Sequence, residues 1–125
     1  MKILFVNTDN TISARLIYAQ SQNVIQMAEI KKLLSDKIEI IVAAKISRLA
    51  SIYIMFAEKE SGDRPVNKVA SALVGKDVPP VKGDVIIART DHFGSGSKFF
   101  ALDDDEINTV KERLTQALGY QVVFK

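Results

Sequence analysis

Three stretches of this chain hold residues whose types could do chemistry. Asp91-His92-Phe93-Gly94-Ser95-Gly96-Ser97 gathers an acid, the single imidazole of the chain, two hydroxyls and two glycines. Adjacent Asp91 and His92 would point apart on a strand, no serine stands in a nucleophile-elbow sequence, and Gly94-Ser95-Gly96 lacks the lysine and helix of a phosphate loop. The stretch therefore reads as a mobile hairpin tip; in a functional version its amides, with His92 as an added donor, would close over a bound anion. Asp103-Asp104-Asp105-Glu106 resembles a hard-cation site, but calcium loops space their ligands so that the backbone wraps the ion, and these residues open a helical pattern. Capping is the better account. The third set is dispersed: Phe56 can offer a ring face to a base, Asn67 a donor and an acceptor to a base edge, and Arg64 and Arg89 paired donors to a phosphate. Together these are the contacts of nucleotide recognition. The bland alternative is a core phenylalanine, a turn asparagine and two surface arginines.

The composition removes most other chemistry. With no cysteine and one histidine, thiolate metal sites, disulfide scaffolds, cysteine nucleophiles and sites of several imidazoles all lack their ligands. No cofactor or metal is expected. Seventeen basic against fifteen acidic residues give a net charge of +2, too small to imply a nucleic-acid polymer as partner. The apolar windows Ile38 to Ala44 and Ile52 to Ala57 are far shorter than the ~18 residues a bilayer requires, and Lys2 to Val6 runs at once into Asn7-Thr8-Asp9-Asn10, so neither a membrane span nor a signal peptide is expected. The expected location is the cytoplasm. At 125 residues and 47% apolar, the chain is expected to be one domain, 1–125, with a core that needs no staple.

The elements that must position the candidates follow from apolar periodicity. Lys2 to Asn7 and Ile12 to Tyr18, joined by Thr8 to Thr11, read as a hairpin in which Arg15 projects from the polar face. Val24, Met27, Ala28 and Leu34 fall at helical spacing, which predicts an amphipathic helix from about Asn23 to Ser35 capped by Ser21 or Asn23. Lys37 to Ala44 is a β-branched strand. Ala50 to Glu58 is a second strand, with Ile52, Ile54 and Phe56 on one side and Tyr53, Met55 and Ala57 on the other. With both sides apolar, it is either central and doubly covered or turned toward a subunit contact. Val66 to Val74 reads as a short helix or an irregular apolar segment ending at Gly75. Val85 to Thr90 is a strand and Lys98 to Leu102 its antiparallel return. Asp103 as N-cap with Glu106 forms a capping box, and Ile107, Val110, Leu114 and Leu118 stripe a helix that Gly119 ends before a final strand at Tyr120 to Phe124. The fold class is α+β: a largely antiparallel sheet of six or seven strands with two amphipathic helices.

Several of these pieces, in order, resemble a family of short, mostly phage-encoded domains of unknown function. They are Ile52 to Glu58, a turn with Gly62, Pro65-Val66-Asn67, Val74-Gly75, Gly83-Asp84-Val85-Ile86-Ile87-Ala88-Arg89 and Leu102 to Ile107, roughly half the chain, with the opening Met1 to Asn7 similar in type. The glycine pair the family carries ahead of its third strand is absent here. The chain is also similar to the phage anti-defence proteins of the first type that counter Thoeris immunity by sequestering cyclic ADP-ribose signals. That resemblance implies a β-rich oligomer whose ligand contacts are an aromatic, a following asparagine and later arginines; Phe56, Asn67 and Arg89 occur in that order.

The resulting expectation is a non-enzymatic, phage-type anti-defence protein that binds and sequesters a cyclic nucleotide or cyclic ADP-ribose messenger at Phe56, Arg64, Asn67, Arg89 and His92. The alternative is a small regulatory protein–protein interaction domain without a nucleotide ligand. A hydrolase ranks third, because His92 is the one ready imidazole and no metal cluster supports it. A homo-oligomer is expected from the two apolar faces of the Tyr53–Met55 strand.

Overall fold

Asn7-Thr8-Asp9-Asn10 turns the chain tightly enough to pair its flanks: Asn7 N–H donates to Thr11 O at 2.9 Å, and Asn10 takes a positive φ of 72°, which asparagine tolerates. The flanks are strands β1 (Lys2–Val6) and β2 (Thr11–Leu16), antiparallel from Lys2 opposite Leu16 to Val6 opposite Ile12. This is the expected hairpin. The computed structural model describes residues 1–48, 51–60, 62–75, 77–92, 97–119 and 123–125.

The first helix departs from its periodicity. Ser21–Asn23 forms a single 3-10 turn in which Gln22 and Asn23 both have positive φ, and Val24 then bridges Phe100 while Ile25 N–H donates to Phe99 O at 2.9 Å. Long-range strand pairing thus claims the residues that helical spacing assigned to a first turn. Helix α1 starts later, at Met27–Leu33, with its N-cap at Gln26 and no side-chain cap bond there, so the cap position lies beyond both expected residues, Ser21 and Asn23.

Strands β3 (Ile38–Val42) and β4 (Ile52–Glu58) pair antiparallel, and β4 pairs antiparallel with β5 (Val85–Thr90). Between β4 and β5 lies α2 (Lys68–Leu73), the short-helix reading of that segment. Strand β6 (Phe99–Phe100) returns along β5, which Thr90 helps to close: its buried hydroxyl lies 2.6 Å from His92 O and 2.8 Å from Lys98 O. The tip between them, Phe93 to Gly96, lies outside the described residues. Helix α3 (Asp104–Leu118) has the complete capping box, Asp103 accepting from Glu106 N–H and Glu106 accepting from Asp103 N–H, and ends at Gly119 with φ 67°. Of the final strand, Val123–Phe124 is seen as β7, parallel to β2; Tyr120 to Val122 are outside the described residues.

Among the described residues the sheet runs β3-β4-β5-β1-β2-β7, with β6 continuing beside β5 where β1 leaves off, and every pairing but β2–β7 is antiparallel. The α+β class therefore holds. Alternation sends Ile3, Phe5, Ile54, Phe56 and Ile86 toward α1, where Ile25 and Ile30 meet them, and Leu4, Val6, Tyr53, Met55 and Ile87 toward α2 and α3, where Leu73, Ile107, Val110 and Leu114 meet them. Each face of the sheet has its own apolar layer. Strand β4 is thus central and doubly covered: Tyr53 is 2% exposed and Met55 fully buried, which removes the subunit-contact reading of that face and, with it, the stated ground for an oligomer. Among the described residues no helix is long and apolar enough to cross a membrane.

Candidate functional site

The residues expected to recognise a nucleotide do not converge. Phe56 has no exposed surface; its ring packs edge-on against Phe99, centroids 5.2 Å apart, within the α1 layer. No ring face is left for a base. Asn67 is also fully buried, and its amide is spent inside the fold: Nδ2 donates to Val6 O at 3.1 Å and Gly83 O at 3.0 Å, while Oδ1 accepts from Ala70 N–H at 3.0 Å as the N-cap of α2. It ties β1, the approach to β5 and α2 together. Both residues take their bland roles, because a side chain with its surface or its hydrogen bonds consumed internally has nothing to give a ligand.

The arginines separate. Arg64 lies beyond the end of β4, its Nε 3.2 Å from Glu58 Oε2. Arg89 sits at the other end of the sheet, on the α3 side, with Nε 2.7 Å from Glu106 Oε2, a second ion pair to Asp91, and its guanidinium 4.7 Å from the centroid of Phe100. Two carboxylates on one guanidinium more than offset its charge and fix its plane, so Arg89 locks the β5–β6 hairpin onto the first turn of α3. His92 is exposed and, with Asp91, Lys98 and Phe100, lines a hollow of about 120 Å³, too small for a nucleotide. The glycines proposed to close over an anion there are outside the described residues. The acidic run at Asp103 to Glu106 is accounted for by the capping box, by Lys2 Nζ on Asp104 at 3.0 Å and by Arg89 on Glu106. No group of three or more His, Cys, Asp or Glu suited to a metal ion occurs among the described residues.

A different set of side chains does converge. The loop from β3 to β4 folds back over the α2–α3 layer, held by Lys45 N–H on Leu73 O at 3.1 Å and by buried Ile46, whose carbonyl accepts from Arg113 Nη1 at 2.9 Å. Ser47 stiffens it from within: its hydroxyl donates to Ala43 O at 2.9 Å and accepts from Tyr53 N–H at 2.9 Å. This arrangement sets Lys45 and Arg48 of the loop opposite Arg113, Gln116, Ala117 and Leu118 of α3, with Ala72 of α2 between them, around an open groove of about 420 Å³. Arg113 is positioned further by the Tyr53 ring, 5.7 Å from its guanidinium carbon, while Arg48 Nη1 donates to Ser47 O at 2.9 Å.

The groove's charge is unopposed. Among the described residues no carboxylate lines it, and none of Lys45, Arg48 and Arg113 forms an ion pair. The C-terminal ends of α2 and α3 each contribute about half a negative charge, which reduces the field of three cations without reversing it. The planar forks of both arginines suit phosphate or carboxylate, with hydrogen bonds to described residues only at Nη1, and Lys45 adds a mobile point charge. Gln116 offers a neutral donor and acceptor, and Ala72, Ala117 and Leu118 an apolar floor. The arrangement can therefore hold an anion.

In the sequence, Lys45-Ile46-Ser47-Arg48 falls between two predicted strands without a motif, and Arg113 is not among the candidate residues. The one local signal is small: Arg113, Gln116 and Ala117 stand at i, i+3 and i+4 and so share a helix face. No known protein family matches the chain, and neither does any curated protein or any solved structure.

Proposed function

We propose that this protein is a non-enzymatic binder that sequesters a phosphate-bearing small molecule of the cyclic nucleotide or cyclic ADP-ribose class, held in the groove by Lys45, Arg48 and Arg113. The observation that carries this reading is the cluster of three cations without a carboxylate partner around about 420 Å³ of open volume. That volume falls in the range of small-molecule sites, roughly 300–1,000 Å³, and suits a compact nucleotide better than a polymer. The choice of a cyclic messenger rests on the resemblance to Thoeris anti-defence proteins, now attached to a groove other than the one that resemblance implies.

A thermal-shift panel of cyclic ADP-ribose isomers and cyclic oligonucleotides tests the reading. A ligand at about 100 times its Kd stabilises by about 2.7 kcal/mol, a readily visible shift. We expect one class of ligand to raise the Tm of the native protein, the shift to shrink with added salt as charge screening grows, and Arg48→Glu to abolish it while leaving the unliganded Tm near its native value. Ligand recovered after heat release should be chemically intact. No shift with any compound, or an equal shift in Arg48→Glu, would overturn the assignment of the groove, and recovery of a cleaved ligand would make the protein an enzyme.

A further inference from the structure

Strand β3 borders the sheet, and its pairing with β4 decides which of its backbone groups are used. Lys59 N–H donates to Lys37 O and Ala43 N–H to Tyr53 O, each at 2.9 Å, so the residues that exchange bonds with β4 are, in alternation, Lys37, Glu39, Ile41 and Ala43. Ile38, Ile40 and Val42 therefore turn their N–H and C=O groups outward, and among the described residues nothing bonds to them. Their side chains are half-buried against the α1 layer, which holds that backbone in place. Sheet borders are ordinarily blunted by proline, bulges, several charges or very short strands. Strand β3 is Ile-Glu-Ile-Ile-Val, with Glu39 its single charge. The opposite border does use such a device: past the described residues of β7, β2 carries Arg15 over the Phe5 ring.

We infer that β3 pairs antiparallel with β3 of a second copy about a twofold axis at Ile40, joining two sheets into one. Outward groups meet outward groups only when residues of the same parity face each other. With Ile40 opposite Ile40, Ile38 faces Val42 on both sides of the axis and all three outward residues of each copy enter the ladder. A shift of two residues in one direction sets the two Glu39 carboxylates directly opposite each other, where like charges repel. The same shift in the other direction leaves Ile38 outside the ladder. In the register chosen, each Glu39 faces Ile41 instead. The ladder is thus self-complementary, Ile-Ile-Val against Val-Ile-Ile, which favours a second copy over an unrelated strand. This inference does not depend on the ligand groove.

Because the chain has no cysteine, single introduced thiols report the register directly. Facing residues in a bonded pair have Cα atoms about 5.5 Å apart, within the span of a disulfide, whereas the two Glu39 positions lie about 8 Å apart on the diagonal. Under mild oxidation Ile40→Cys should form a covalent dimer at least about tenfold faster than Glu39→Cys, since pairing raises the effective thiol concentration only at the axis. Sedimentation of the native chain should show a concentration-dependent dimer. The unfolding midpoint of reduced Ile40→Cys checks that this half-buried position still folds. A native chain that stays monomeric across the concentration series would overturn the proposal. So would equal cross-linking rates at the two positions, which would mean that some other surface or another protein meets this border.

Discussion

Asn67 shows how much one buried amide can organise. Its side chain caps α2 and satisfies two backbone carbonyls from different elements, so it has no exchange partner in water and none to offer a ligand. Removing it leaves Val6 O and Gly83 O without that donor and Ala70 N–H without its cap. Asn67→Ala should lower the stability to urea by about 3 kcal/mol or more. Asn67→Ser should regain only the cap share, about 1 kcal/mol. Urea midpoints at constant slope measure both, and a small loss in Asn67→Ala would show that these bonds are made as well by water. Phe56 belongs to the same category, since its ring acts through packing on Phe99 and not through stacking on a base.

At the scale of elements, short hydrogen-bonded turns decide where strands and helices start. The β1–β2 turn is fixed by Asp9, whose carboxylate accepts from the Thr11 hydroxyl at 2.6 Å and the Thr11 N–H at 3.0 Å; Asn7 Nδ2 in turn donates to that hydroxyl at 2.9 Å. The Thr11 hydroxyl, and after it the Thr11 N–H, hold Asp9 below its ordinary pKa of 3.8. The folded state therefore binds this proton more weakly than the unfolded chain does. Its stabilisation is fully present above the ordinary value and is lost as the pH falls through the lowered folded value. Asp9→Ala should thus reduce stability at neutral pH and flatten the decline on the acid side, as measured by denaturant midpoints from pH 7 downward. An acid limb identical to that of the native chain would show that the turn does not depend on the charge. The α3 start uses the same device twice, because Glu106 both completes the capping box and holds Arg89.

The whole molecule is a single sheet between two apolar layers, and the sheet couples them. Ile30 lies in the α1 layer and Ile107 in the α2–α3 layer, both buried. Ile30→Val and Ile107→Val should each cost about 0.5–1.5 kcal/mol. With the sheet between them they share no contacts, so the double variant should be additive to within about 0.5 kcal/mol. Since neither layer has a sheet of its own, all three variants should still unfold in one transition, the same by fluorescence and by circular dichroism. A second transition in either single variant would mean that one layer can melt alone.

The sequence by itself determines what is encoded in neighbouring residues: the N-terminal hairpin, the doubly apolar alternation of β4, the Asp103–Glu106 capping box and the stop at Gly119. In each, the signal lies within one turn or one strand, where spacing and side-chain type act directly on the backbone. Tertiary structure decides what depends on distant partners. Val24 and Ile25 have the spacing of a first helical turn, yet the strand at Phe99–Phe100 takes their backbone bonds. Phe56 and Asn67 have the chemistry of ligand contacts, yet packing and three internal hydrogen bonds use that chemistry up. Lys45, Arg48 and Arg113 carry no motif; they meet because a carbonyl at Ile46 is bonded by a guanidinium 67 residues away, and only the folded chain brings those cations together without a carboxylate between them.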